Sequence, residues 1–132
     1  MNDIVDRYSV VIMGRGAFQG LKTRPDVVSV FIHAPLGFRS RRVMEVMGMK
    51  DLKRAQAHVQ ESDWKRTKFV RDVLGLDWTD ARNFNLSIDS SVTSFTACAG
   101  MIITLVKEKE GRAGDADAKA VSTISARNQP YW

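Results

Sequence analysis

Cysteine is almost missing from this chain: 132 residues contain one, Cys98. A lone thiol cannot close an intrachain disulfide. A disulfide scaffold is therefore excluded, and a reducing compartment, the cytoplasm, is the expected location. Histidine is nearly as scarce. His33 and His58 together with Cys98 leave too few soft ligands for a structural zinc site. Long apolar runs are lacking too. Val27-Val28-Ser29-Val30-Phe31-Ile32 is among the longest, well short of the roughly 20 residues that a membrane helix needs, so no membrane is expected as a partner. Met1-Asn2-Asp3-Ile4-Val5-Asp6-Arg7 offers no basic stretch ahead of an apolar one, and no secretory signal is expected. Internal repeats are also absent.

The composition itself is that of a globular protein, with 44% hydrophobic and 27% charged residues. The length suits one domain with one core. The balance is basic, with 20 Lys and Arg against 15 Asp and Glu, a net charge of +5. Half of those cations lie between Phe38 and Arg71, where only Glu45, Asp51, Glu61 and Asp63 oppose them. A concentrated positive segment suits phosphate, on a nucleotide or on a nucleic acid. No module signature for RNA or DNA appears, so nucleic acid is not the expected partner.

Three short apolar segments read as strands: residues 8–13, stopped by Gly14; 27–33, ended by Ala34-Pro35; and 84–88, ended by Asp89-Ser90-Ser91. The first two are β-branched and nearly continuous in apolar character, as strands covered on both faces are. Pro35, with no N–H to lose, suits the start of a helix running to Met47, with Gly48 beyond it. A longer helix is expected over residues 51–73, with Leu52, Ala55, Val59, Phe69 and Val73 near one stripe. A third is expected over 93–107. Strand alternating with helix predicts an α/β fold. After Val106 the apolar period stops. Residues 1–107 read as the folded domain and 108–132 as a polar, disordered tail.

Gly14, Gly16 and Gly20 after a strand invite a dinucleotide-binding reading. That turn must open a crossover helix of about 10 residues or more. Here Thr23-Arg24-Pro25 arrives almost at once, which defeats it. No stretch spells the Walker A loop, G-x-x-x-x-G-K-[ST].

Gly14-Arg15-Gly16-Ala17, Phe31-Ile32-His33-Ala34-Pro35, Arg39, Arg42 and Asp63-x-x-Arg66, in that order, resemble the cytidylate kinase-like family of P-loop nucleoside monophosphate kinases. The likeness spans residues 10–105 and includes the closing strand Phe84-Asn85-Leu86-Ser87-Ile88. It implies a three-layer, mostly parallel sheet with flanking helices and a helical lid. It also implies transfer of phosphate from ATP to CMP or dCMP with Mg²⁺. By the same likeness Arg15, Arg39, Arg42, Asp63 and Arg66 are the substrate and phosphate contacts. Two departures stand out: Gly16 replaces the Asp that cytidylate kinases proper carry after the Arg, and Val59 replaces a further lid Arg.

The resemblance starts at the family's third strand, so the Walker A part is not matched. The chain alone is expected to hold no cofactor, to keep the monophosphate and lid side, and not to be a competent kinase. In the family's sheet order a strand is then missing between the segments at 8–13 and 27–33. The gap must be closed by the chain, by a second copy or by a partner chain. The alternative to a nucleotide-binding protein is accordingly a degenerate kinase-like interaction module that dimerises or pairs with a partner.

Simpler roles compete at each residue. Arg15 and the Arg39, Arg41, Arg42 run also suit a solvated surface. Asp63 and Arg66 also make a plain i, i+3 ion pair. His33, Cys98, the methionines, Trp64 and Trp78 read as structural or packing residues. Asp77, Asp80 and Asp89 read as turn residues as readily as cation ligands.

Overall fold

The computed structural model describes residue 7, residues 9–14 and 16–112, and the backbone of 120–125. Four parallel strands form one sheet: β1 (Val10–Met13), β2 (Val27–His33), β3 (Leu86–Asp89) and β4 (Ala120–Ser125), in the order β1-β4-β2-β3. The helices are α1 (Ala17–Gly20), α2 (Leu36–Met47), α3 (Leu52–Leu74) and α4 (Phe95–Arg112), with a single 3₁₀ turn at Ala81–Asn83. The chain is thus α/β, a small parallel sheet with flanking helices.

β2 is the strand around which the rest is organised. Its residues alternate between two apolar clusters, as a pleated strand requires. Val28 and Val30 are buried with Ile88 of β3 and Cys98 of α4, beside Ile32, Ile102, Leu105 and Val106. Phe31 points the other way, among Phe18, Val70 and Trp78, with Leu74, Leu76 and Phe84 packed around them. Cys98 is therefore a core residue, buried as a small hydrophobe. β3 starts at Leu86, two residues later than the apolar run suggests. Asn85 holds β2 there with its side chain: Ser29 N donates to Asn85 Oδ1 at 2.9 Å, and Asn85 N donates to Ser29 O at 2.8 Å. Phe84 is left to stack on Phe31, centroids 5.1 Å apart.

The helix stops follow from glycine. Gly48 and Gly75 end α2 and α3 in the left-handed region, both at φ 65°, which side chains resist and glycine does not. α3 starts on Asp51, whose carboxylate accepts from Lys53 N and Arg54 N. The expected stripe on α3 is corrected in part. Ala55, Val59 and Val70 are buried, whereas Leu52, Phe69 and Val73 are exposed. The first half of α3 packs on Val43 of α2, and the second half, through Val70 and Leu74, packs on the Phe31 cluster. One helix serving two neighbours does not keep one straight stripe.

The stretch read as a polar tail begins as helix and contains a strand. α4 runs on to Arg112, held in its last turns by Lys109, whose ammonium donates to the Val27 carbonyl. Residues 120–125 are β4, paired with β1 on one side (Val10↔Ala120 to Met13↔Thr123) and β2 on the other (Val27↔Ala120 to Ile32↔Ser125). β4 sits in the slot between those two strands. Composition missed it because only Val121 and Ile124 of its six residues are strongly apolar. The rest of the expected tail, residues 113–119 and 126–132, lies outside the described residues.

Candidate anion-binding site

β2 ends at His33, and Ala34-Pro35 turns the chain into α2 at the C-terminal end of the sheet, the end where open α/β sheets receive ligands. Arg39, one turn into α2, folds back over that end. Its Nε donates to the Ala34 carbonyl at 2.9 Å, and its Nη1 lies 2.8 and 2.7 Å from the two oxygens of Asp63 on α3. One turn further along α3, Arg66 approaches the same carboxylate, Nη1 to Oδ1 at 3.9 Å. That is too long for a hydrogen bond. The Arg66 guanidinium lies over the Trp78 ring, 5.0 Å from its centroid. Trp78 stands edge-on to Phe31, 5.7 Å away, and its Nε1–H donates to Thr67 Oγ1 at 2.9 Å. The side chains thus form a continuous ring of contacts: Phe31, Trp78, Arg66, Asp63, Arg39, and back to the end of β2.

Arg66 is the unusual member. Its side chain is only 14% exposed, and its Nη1 is buried with no hydrogen-bond partner. Burial pushes the guanidinium below its ordinary range, with Asp63 pulling the other way and Arg39 adding to the lowering. Asp63 spends both oxygens on Arg39, so the pair Arg39–Asp63 is nearly neutral and the Arg66 charge is left over. A planar fork resting on an indole, with a free buried N–H, is a grip for an oxyanion.

The other expected residues fall elsewhere. Arg42 lies on the outward face of α2 and pairs with Glu45 at 3.1 Å. With Phe38, Arg41 and Phe95 it lines a separate cleft of about 400 Å³, so the structure does not bring it together with Arg39, Asp63 and Arg66. Arg15 lies outside the described residues. Its neighbours Gly14 and Gly16 hold positive φ, 72° and 68°. A Cβ on Gly16 would come within 2.8 Å of Leu74 Cδ1, so Gly16 lies against α3, whereas Gly14 has open space around it.

His33 stacks on Phe31, centroids 5.4 Å apart, and its carbonyl accepts from Ser90 N at 2.9 Å. Asp89, its register partner on β3, is held below the usual carboxylate range by hydrogen bonds from the Ser91 side chain and backbone, with His33 contributing less. Asp77 and Asp80 close turns on Thr79 and Arg82. Among the described residues no three His, Cys, Asp or Glu side chains come together to hold a metal. No helix of the described residues is long and apolar enough to cross a membrane. Sequence reasoning missed the part played by Trp78, which it took as a core aromatic; Trp78 is buried, but it also carries Arg66. No local signal in the sequence points to that contact, which joins residues twelve apart across a helix end.

No curated protein and no solved structure gives a significant match to the chain. One family model does, the cytidylate kinase-like family, over residues 1–92. That segment holds β1 to β3, the ring of contacts around Arg66, and more than half of the chain, and the protein belongs to the cytidylate kinase-like family.

Proposed function

We propose that this chain binds a cytidine-type nucleoside monophosphate by its phosphate, at Arg66, and that these 132 residues by themselves do not transfer phosphate. The observation that carries the reading is the buried, unpartnered Nη1 of Arg66 beside a carboxylate already engaged by Arg39. A buried charged donor left unsatisfied costs about 1–3 kcal/mol or more. A phosphate oxygen relieves that cost, and two guanidiniums around one carboxylate leave a positive charge to meet it. The cytidine base rests on family membership alone.

Phosphoryl transfer is mostly positioning and charge neutralisation by a Walker A loop, its Lys and Mg²⁺. No stretch of residues 1–132 spells that loop, and Gly16 is packed against Leu74. The described residues bring no three carboxylate, His or Cys side chains together as a cage for an ion, and Mg²⁺ in such sites is held mainly by the nucleotide's own phosphates and water.

Isothermal titration with CMP and, in parallel, cytidine tests the binding half. CMP binds and cytidine does not, and Arg66→Ala weakens CMP at least about tenfold, the effect of losing a charge-assisted hydrogen bond. An unchanged affinity in that variant overturns the assignment. Phosphorylation of CMP by the purified chain with ATP and Mg²⁺ overturns the second half.

A further inference from the structure

Thr67 follows Arg66 on α3 and lies on the surface, yet its hydroxyl has two partners. Oγ1 donates to the Asp63 carbonyl, one turn back, at 2.9 Å, and accepts the Trp78 Nε1–H, also at 2.9 Å. With its proton directed at the helix carbonyl, the oxygen keeps its lone pairs for the indole. A threonine bonded to the carbonyl four residues earlier is an ordinary helix feature. The second bond is not. It ties a loop residue eleven positions later to the helix turn that carries Asp63 and Arg66.

Arg66 depends on that tie. Its Nη1 has no hydrogen-bond partner, and Asp63 Oδ1 is 3.9 Å away. The guanidinium carbon lies 5.0 Å from the Trp78 ring centroid. Cation–π attraction acts over the face of the ring, so the way the indole is turned decides where the Arg66 donors point. Packing with Phe18, Phe31 and Val70 buries the indole. Hydrophobic contact is non-directional, however, whereas a hydrogen bond has a preferred line. Nε1–H is the only donor on the indole, and Thr67 takes it. The loop is also held from its other side. Thr79 N donates to Asp77 Oδ1 at 2.9 Å, and Asn83 Nδ2 donates to the Asp77 carbonyl at 2.9 Å. Trp78 is thus fixed at its backbone by this turn and at its far end by Thr67.

We propose that Thr67 is a positioning residue for the phosphate site: its hydrogen bond to Trp78 turns the indole so that Arg66 is pre-organised to receive an oxyanion. Thr67 acts through Trp78 and Arg66 rather than by touching the ligand. This role rests on the reading of Arg66 as the phosphate grip. A donor held in place beforehand loses less freedom when the ligand arrives, and affinity rises accordingly.

Calorimetric titration of the full chain with CMP tests it, each variant being held well below its melting midpoint. Thr67→Val keeps the side-chain shape at an exposed site and loses the hydroxyl; Thr67→Ser keeps the hydroxyl. Thr67→Val is expected to weaken CMP about three- to tenfold, the effect of one intramolecular hydrogen bond. Thr67→Ser is expected to bind as wild type does. Thr67→Val and Trp78→Phe break the same bond, so the double variant binds CMP no more weakly than the weaker-binding single variant. A spectroscopic signature accompanies the affinities. The Trp78 indole N–H resonance, assigned by its absence from Trp78→Phe, moves when CMP is added to wild type and does not move in Arg66→Ala. Suppose Arg66→Ala weakens binding as expected. Then unchanged affinity in Thr67→Val, no recovery with serine, additive losses in the double variant, or an indole resonance indifferent to CMP overturns the positioning role alone. No CMP binding by wild type, or unchanged binding by Arg66→Ala, overturns the phosphate reading and the role of Thr67 with it.

Discussion

Arg66 is held from two directions, by an indole below and a carboxylate beside, and it still has a buried N–H to give. Asp63 is the residue on which this arrangement turns, because it separates two arginines that are each mostly buried. Asp63→Ala leaves Arg39 and Arg66 facing one another unneutralised. Its expected cost is about 1–3 kcal/mol, below that of a fully buried pair because Asp63 is partly exposed. Urea denaturation measures it. Trp78→Phe keeps an aromatic face but removes the Nε1–H bond to Thr67, and the expected loss is about 1–2 kcal/mol. Added phosphate raises the melting midpoint of wild type but not that of Arg66→Ala, which thermal melts with and without phosphate check. The order Asp63-x-x-Arg66 was readable in the sequence through the family likeness. Trp78 was not, because nothing local says that a tryptophan beyond a helix end folds back beneath an arginine twelve residues earlier.

At the scale of elements, the turns before and after each strand carry predictions of their own. Asp80 opens the 3₁₀ turn, and its carboxylate pairs with Arg82 at 2.7 Å. The Arg82 hydrogen bonds lower its pKa from 3.8 to about 2. A carboxylate lowered in the folded state stabilises the fold when charged. That contribution is fully present above about pH 4 and fades as the pH falls toward 2. Asp80→Asn is therefore less stable than wild type at pH 6, and the gap closes between pH 4 and 2. Urea midpoints across that range read it directly.

Gly16 offers a second case. Its φ of 68° strains any side chain, and a Cβ would push the Leu74 methyl aside from 2.8 Å, so Gly16→Ala costs about 1 kcal/mol or more in thermal or urea unfolding. The element boundaries that the sequence revealed were those set by local chemistry. Pro35 starts α2, Gly48 and Gly75 end two helices, and the apolar run Val27–His33 makes β2. The boundaries it missed, at β3 and at the end of α4, depend on distant partners: Asn85 on Ser29, and Lys109 on Val27.

For the whole molecule, β2 separates two cores, and burial decides what a substitution costs. Val28 is fully buried between β3 and α4. Val28→Ala is expected to lose about 2–3 kcal/mol, whereas Val11→Ala, at an exposed site, changes urea stability by less than about 0.5. The sequence by itself determined the α/β alternation, β2, the two main helices and the basic segment that presents Arg39 and Arg66. Those follow from periodicity, glycine, proline and charge, which act within a few residues. Only the tertiary structure decided that Arg42 faces a different cleft from Arg39, that Arg66 rests on Trp78, and that residues 120–125 are a central strand. The physical reason is the same in each case. The energy lies in pairings across the chain: guanidinium over indole, carboxylate between arginines, and strand edges that need a main-chain partner whatever side chains that partner carries.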